Sequence, residues 1–216
     1  MHVAVVHAED GLVASAGNPA HHGFVRSAIK MFQALPFVEA GGVERFQFTG
    51  EELALCTASH GGEPFHVAAA RSMLAKAKVT EAALACGPHL PFNERAAHDL
   101  LRAGEKPTRA HNNCSGKHAG MLAHCVQQQW VTNGYHKPTH PMQRRVLSTL
   151  AQWMRIDAGD ISVATDGCGL PTYAMPLDAV ATGCAHFAAA VAAGQPAPSA
   201  IFHAMTAHPD YVAGTD

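Results

Sequence analysis

His111-Asn-Asn-Cys-Ser-Gly-Lys-His-Ala-Gly120 places a thiol, an amine, two imidazoles, two carboxamides and two glycines within ten residues. The stretch stands where a loop turns into a helix, because Met121-Leu122 and Cys125-Val126 continue it at helical spacing. Glycine lets a backbone approach a ligand closely. A loop-to-helix junction also aims free N–H groups at whatever lies in front of it. The rest of the chain reads as scaffolding that carries other reactive groups to this loop.

The totals narrow the possibilities. A length of 216 residues allows one large domain or two small ones, and an apolar fraction of 48% is enough for a real core. Charged residues make up 15% and the formal net charge is −2, which argues against nucleic acid or acidic lipid as the main partner. No apolar run reaches membrane-span length and no signal-peptide pattern opens the chain, so a cytoplasmic setting is expected. The cysteines form no CxxC pair, which fits a reduced compartment. Cys56, Cys86, Cys125 and Cys184 sit among alanines, leucines or valines and read as small buried hydrophobes. The histidines are scattered, and only those near Ser59 and Lys117 bear on chemistry.

Along the chain, residues 1–16 read as a hairpin: His2–Val6 out, Glu9-Asp10-Gly11 as the turn, Leu12–Ala14 back. A polar loop follows through Gly23, then a helix limited by Pro36. Thr49-Gly-Glu-Glu52 fits a capping box that starts a helix over 51–57. Pro64 opens another helix to Ala77, Thr80–Ala85 and Asn93–Ala103 read as two more, and Pro141 starts a long one to Met154. Ile161–Ala164 reads as a short buried strand, and Leu177–Ala193 and Ser199–Ala207 as closing helices. The pattern is α+β in a single domain over 1–216: hairpin 1–16, helical region about 24–155, then strand, loop and helices 160–216.

Three groups can do chemistry. Ser27 and Lys30 form Ser-x-x-Lys at a helix start, where positions i and i+3 share a face and a hydroxyl can meet an amine. The lysine serves as a base only when neutral, which requires burial or a neighbouring cation. The plain alternative is a capping serine beside a solvent-facing lysine. Ser59-His-Gly-Gly-Glu63 puts a hydroxyl and an imidazole on a glycine-rich turn, suited to proton transfer or, equally, to an ordinary helix C-cap. Cys114 and Cys168, each beside a glycine-flanked turn, read as part of a zinc site. A third ligand would come from His111, His118, Asp166 or Lys117, and two buried free thiols are the alternative.

Taken together, Arg26-Ser-Ala-Ile-Lys-Met-Phe-Gln-Ala-Leu-Pro36, Ala58-Ser-His-Gly-Gly-Glu63, Ala69-Ala-Arg-Ser-Met-Leu-Ala75, the 111–120 stretch and Asp166-Gly-Cys-Gly-Leu-Pro-Thr-Tyr173 are ordered and spread over most of the chain. In these phrases the chain resembles the L-asparaginase II family of the rhizobial type. The resemblance implies a serine β-lactamase-like fold, with an antiparallel sheet packed against a helical region, and hydrolysis of L-asparagine to L-aspartate and ammonia. It implies Ser27 as nucleophile, Lys30 as general base and Ser59 as proton relay. Cys114, Lys117 and Cys168 would hold one zinc ion, and Arg26, His60 and Asp166 fall in segments that meet substrate. It also implies a homodimer. Family members carry an upstream segment with Glu-Ser and His, and a downstream strand whose lysine pairs with Ser59. Neither is in these 216 residues, so the expectation is a truncated sheet and a Ser59 without its lysine. Two rival readings stand beside this one: a penicillin-recognising Ser-Lys acyl hydrolase, and a zinc-binding domain without turnover.

Overall fold

The structure, a computed structural model, describes residues 1–215. It begins with the expected hairpin, β1 (Val3–His7) antiparallel to β2 (Gly11–Ala16). Gly11 turns the chain at φ +74°, and Val13 is the extra residue of a bulge between the Val5–Ala14 and Val6–Leu12 pairs. The polar loop then hides a three-residue strand, β3 (His22–Phe24). After a single 3₁₀ turn over Arg26–Ile29 come α1 (Lys30–Glu39), α2 (Gly42–Phe46), α3 (Gly50–Cys56), α4 (Pro64–Lys76), α5 (Glu94–Arg102) and α6 (Ser115–Gln127). Next are α7 (Pro141–Met154), β4 (Ser162–Thr165), β5 (Pro171–Pro176), α8 (Leu177–Ala192), α9 (Pro196–Ala207) and α10 (Pro209–Val212). The protein is a mixed α and β structure in which helix outweighs strand.

The strands form two small antiparallel sheets rather than one: β1–β2, and a second in the order β3–β5–β4. Phe24 faces Ala174 and Val163 faces Tyr173 across the second sheet. The buried strand is β5, whose residues Pro171–Met175 are all covered, whereas every residue of β4 is exposed. This corrects the reading of 161–164 as a buried strand. An edge strand keeps one side of its ladder and both faces nearer solvent than a central one, and only the central position demands burial.

Helix α6 is the centre of the helical region. All of its residues except Val126 are buried, and α1, α3, α4 and α7 pack around it. Gly116 and Gly120, one turn apart, let α3 come close: a Cβ at 116 would stand 2.4 Å from the Leu55 carbonyl oxygen, and one at 120 would stand 2.8 Å from Cys56 Sγ. Gly116→Ala therefore forces α3 and α6 apart. It is expected to cost about 1–3 kcal/mol and to lower the melting temperature by several degrees in a thermal melt. An unchanged melting point would show that this backbone contact is not a constraint.

The Thr49 capping box is present, with Thr49 Oγ1 accepting from Glu52 N–H and Glu52 Oε2 from Thr49 N–H at 2.9 Å. Glu52 is buried and also receives Lys76 Nζ at 2.6 Å and Ser72 Oγ at 2.7 Å, which tie α3 to α4. Phe32, Trp153 and Phe187 meet with ring centroids 5.6–5.9 Å apart where α1, α7 and α8 join. Each such ring contributes about 1.5–3 kcal/mol by its burial.

Three further expectations change. Helix α1 runs through Pro36 to Glu39: the proline removes one backbone bond, its own carbonyl still accepts from Ala40 N–H, and Gly41 at φ +72° then stops the helix. Thr80–Ala85 is a 3₁₀ turn over Glu81–Ala83, too short to repay helix nucleation. Cys184 is exposed on α8, so its apolar neighbours in sequence are not its neighbours in space. Among the described residues no single helix is long and apolar enough to cross a membrane.

Candidate active site

The second sheet delivers Ser27. Val25 N–H donates to the Tyr173 carbonyl at 3.0 Å, extending the β3–β5 pairing by one residue. Arg26 then takes φ +43°, a left-handed conformation unusual for a side-chain-bearing residue, and its guanidinium meets Asp166 at 3.0 Å. Asp166 begins the turn between β4 and β5, closed by Asp166 N–H to Leu170 O at 2.8 Å, with Gly169 at φ +84°. One turn thus sends Asp166 outward to Arg26 and Cys168 inward. Ser27 follows Arg26 and is exposed.

Ser27 and Lys30 do not meet as an i, i+3 pair on an α-helix. The intervening residues form a 3₁₀ turn and α1 begins only at Lys30. Ser59 stands between them. Its Oγ lies 2.7 Å from Ser27 Oγ and 2.6 Å from Lys30 Nζ. Ser59 therefore has a lysine partner after all, supplied by α1. Lys30 is 2% exposed, and its amine also reaches the Ala58 carbonyl oxygen and, at 3.3 Å, Cys114 Sγ. Burial, reinforced by the nearby Lys117 charge, lowers the Lys30 pKa to about 8.

Three acceptors, Ala58 O, Ser59 Oγ and Cys114 Sγ, match the three N–H groups of an ammonium at Lys30. A neutral amine has two N–H groups and one lone pair. The Ala58 carbonyl can only accept, and Cys114 accepts as a thiolate. Loss of one proton would leave a lone pair facing Ser59, whose hydroxyl here accepts from Lys30 and donates to Ser27. Cys114 is drawn down to about 5, first by a hydrogen bond from the Cys168 thiol and then by the two lysine charges, while the same bond pushes the Cys168 thiol up.

Cys114, Lys117 and Cys168 come together, each buried, with Lys117 Nζ 3.5 Å from Cys168 Sγ. Among the described residues no three His, Cys, Asp or Glu side chains gather as a metal site, so a metal bound by these two thiols would need a third donor of another kind. Each of the other candidates has a partner elsewhere. His111 Nδ1 accepts from Thr108 N–H at 3.0 Å, Asp166 holds Arg26, and His118 Nδ1 bonds the Tyr135 hydroxyl while its buried Nε2 has no hydrogen-bond partner among the described residues. Among the described residues Lys117 Nζ has one hydrogen bond, to Cys168 Sγ. Two thiols and a neutral amine make a sound zinc donor set once the protons are released, so the residues fit the group.

His60 has a different position from the one its segment suggested. It is fully buried and both ring nitrogens are used inside the protein: Nδ1 accepts from Gly62 N–H at 3.1 Å and Nε2 lies 3.0 Å from Ser115 Oγ. It has no free surface for a substrate. Arg26 and Asp166 do lie at the mouth beside Ser27, paired with each other.

Sequence reading missed the outer support of the Ser59 turn. Ser59 N–H donates to Val212 O at 3.1 Å and Gly61 N–H to Ala213 O at 2.6 Å. The buried Glu63 carboxylate receives Thr215 N–H at 3.0 Å and Thr215 Oγ1 at 2.8 Å. Backbone pairing across 150 residues leaves no local pattern; only Glu63-x-x-His66 at a helix start hinted at it. A cleft of about 590 Å³ lies on the far side of this turn, between α4 and α5, and none of the serines, lysines or sulfurs described above lines it.

A sequence model of the family described as L-asparaginase II matches the chain over residues 1–216. A search of curated proteins returns no significant match.

Proposed function

The chain belongs to the L-asparaginase II family, and on that footing we propose that it is an amidohydrolase converting L-asparagine to L-aspartate and ammonia. The observation that carries the mechanism is the Ser27–Ser59–Lys30 chain, 2.7 and 2.6 Å between successive atoms. Ser27 Oγ, at the surface, attacks the side-chain amide carbon. Its proton passes to Ser59 Oγ while the Ser59 proton passes to neutral Lys30. The tetrahedral adduct collapses, the same relay returns a proton to the leaving nitrogen, and ammonia departs. Water then takes the place of ammonia, loses its proton along the relay, and releases L-aspartate from the Ser27 ester. Arg26, at the mouth and paired with Asp166, would meet the substrate carboxylate through its remaining N–H groups.

Cys114, Lys117 and Cys168 would hold one zinc ion, which when bound supplies a fixed buried charge that orders the sulfurs beside Lys30. Lys30 and Ser59 provide the proton transfer without it. The same reading includes a serine β-lactamase-like arrangement, supported by antiparallel strands packed against α8 beside the helical region. A homodimer and a cytoplasmic setting belong to it by family resemblance.

Ammonia release from L-asparagine by the purified chain, with and without added zinc, is the direct test. Turnover is expected; folded, zinc-loaded protein that releases no ammonia would overturn the proposal. A penicillin-recognising enzyme uses the same Ser-x-x-Lys pairing. That reading requires a fluorescent penicillin to label Ser27, and it leaves the buried thiol–amine cluster unexplained.

A further inference from the structure

Residue 60 holds the Asn113-Cys114-Ser115 turn from both sides. Its backbone N–H donates to Asn113 O at 3.1 Å, and its ring reaches Ser115 Oγ at 3.0 Å. Cys114 lies between those two anchors, and its sulfur meets Lys30. Residue 59, next door, meets Lys30 through its own side chain. One dipeptide thus touches the proton relay with its first residue and clasps the Cys114 turn with its second.

The ring's orientation follows from elementary hydrogen-bond logic. A backbone N–H can only donate, so His60 Nδ1, facing Gly62 N–H, is an acceptor. The ring proton therefore sits on Nε2 and points at Ser115 Oγ. His66 repeats the pattern: Nδ1 accepts from Glu63 N–H at 3.2 Å, and Nε2–H donates to Asp210 O at 2.8 Å. The two rings stack with centroids 4.7 Å apart and planes 17° from parallel, and both are fully buried. Burial pushes both imidazoles toward the neutral form that this bonding needs.

We propose that His60 is a positioning residue: its Nε2–H bond to Ser115, braced by the stacked His66 ring, holds Cys114 in place as a zinc ligand at a set distance from the Ser59–Lys30 pair. The inference rests on the reading of Cys114, Lys117 and Cys168 as the zinc donors. It gives His60 an indirect role, which explains a histidine beside a catalytic serine that has no access to substrate.

The test compares zinc affinity, by competition with a chromophoric chelator, in the wild-type chain and in His60→Gln, His60→Asn, Ser115→Ala and the His60→Asn/Ser115→Ala double variant. Glutamine places an N–H near the Nε2 position, whereas asparagine keeps only the Gly62 contact. His60→Asn and Ser115→Ala are each expected to weaken zinc binding by roughly 10–100-fold, with His60→Gln within about threefold of wild type, as loss and rescue of a ligand's supporting bond predict. The double variant should be no weaker than the weaker single one, since both remove the same bond. Wild-type affinity in His60→Asn and Ser115→Ala would overturn the proposal. So would equal loss in His60→Gln and His60→Asn, losses that multiply in the double variant, or a wild-type chain that binds no zinc. Ser115→Ala removes one oxygen and keeps the helix, so it decides the matter even where a His60 variant fails to fold. The asparaginase reading is judged separately, by wild-type ammonia release.

Discussion

Ser27→Ala is expected to abolish ammonia release from L-asparagine, lowering kcat by roughly 10⁴–10⁶-fold, the scale seen when a covalent nucleophile is removed. The melting temperature should barely move, because Ser27 is exposed and, among the described residues, its side chain bonds Ser59 Oγ alone. The relay geometry makes a sharper prediction for Ser59→Ala. If Lys30 took the Ser27 proton directly, Ser59 would be an accessory and its loss mild. With Ser59 Oγ, among the described residues, the one atom bonded to both, its removal strands the base, and kcat should fall by roughly 10²–10⁴-fold. The Ser27→Ala/Ser59→Ala double variant should then be no slower than Ser27→Ala alone, because residues that act as one unit do not contribute additively. Initial rates from a coupled ammonia assay check all three variants. A Ser27→Ala chain with a tenth or more of wild-type activity would end the nucleophile assignment, and a near-normal Ser59→Ala would restore a direct Ser27–Lys30 transfer.

How much of this could be read in advance depends on the range of the interaction. Thr49 and Glu52, Pro64, and His140-Pro141 mark helix starts because capping is decided within one turn. The helix after Cys114 was legible for the same reason. By contrast, β3 and β5 exist because residues about 150 positions apart pair, and a three-residue strand has no alternation to show. The meeting of Ser27, Lys30 and Ser59 was anticipated only through the family phrases, and even those place Ser59 with a different lysine. The relay depends on the 3₁₀ turn over Arg26–Ile29, which no residue pattern distinguishes from the first turn of an α-helix. His60 shows the converse limit. The resemblance put His60 in a segment that meets substrate, but Ser59 faces Lys30 whereas the His60 ring faces Ser115.

Lys30→Met and Lys30→Arg are both expected to lose roughly 10²–10⁴-fold in kcat, and the arginine variant is the informative one. If Lys30 acted through its positive charge alone, a guanidinium would retain much of the activity. An arginine cannot give up its proton in a protein, so it can never present the lone pair that Ser59 needs. Thermal melts separate loss of chemistry from loss of fold, since the site is tight. The pH profile of the wild-type chain provides an independent check whose sign is fixed. Burial and Lys117 lower the Lys30 pKa to about 8, and the working form is the deprotonated one. The rate should therefore rise tenfold per unit below that value and level off above it, about fifty-fold in all between pH 6 and pH 8. An acid-limb carboxylate base would give the plateau several units lower. A profile already flat at pH 6, or an active Lys30→Arg, would mean that the amine organises the pocket by its charge and that the proton leaves Ser27 by another path.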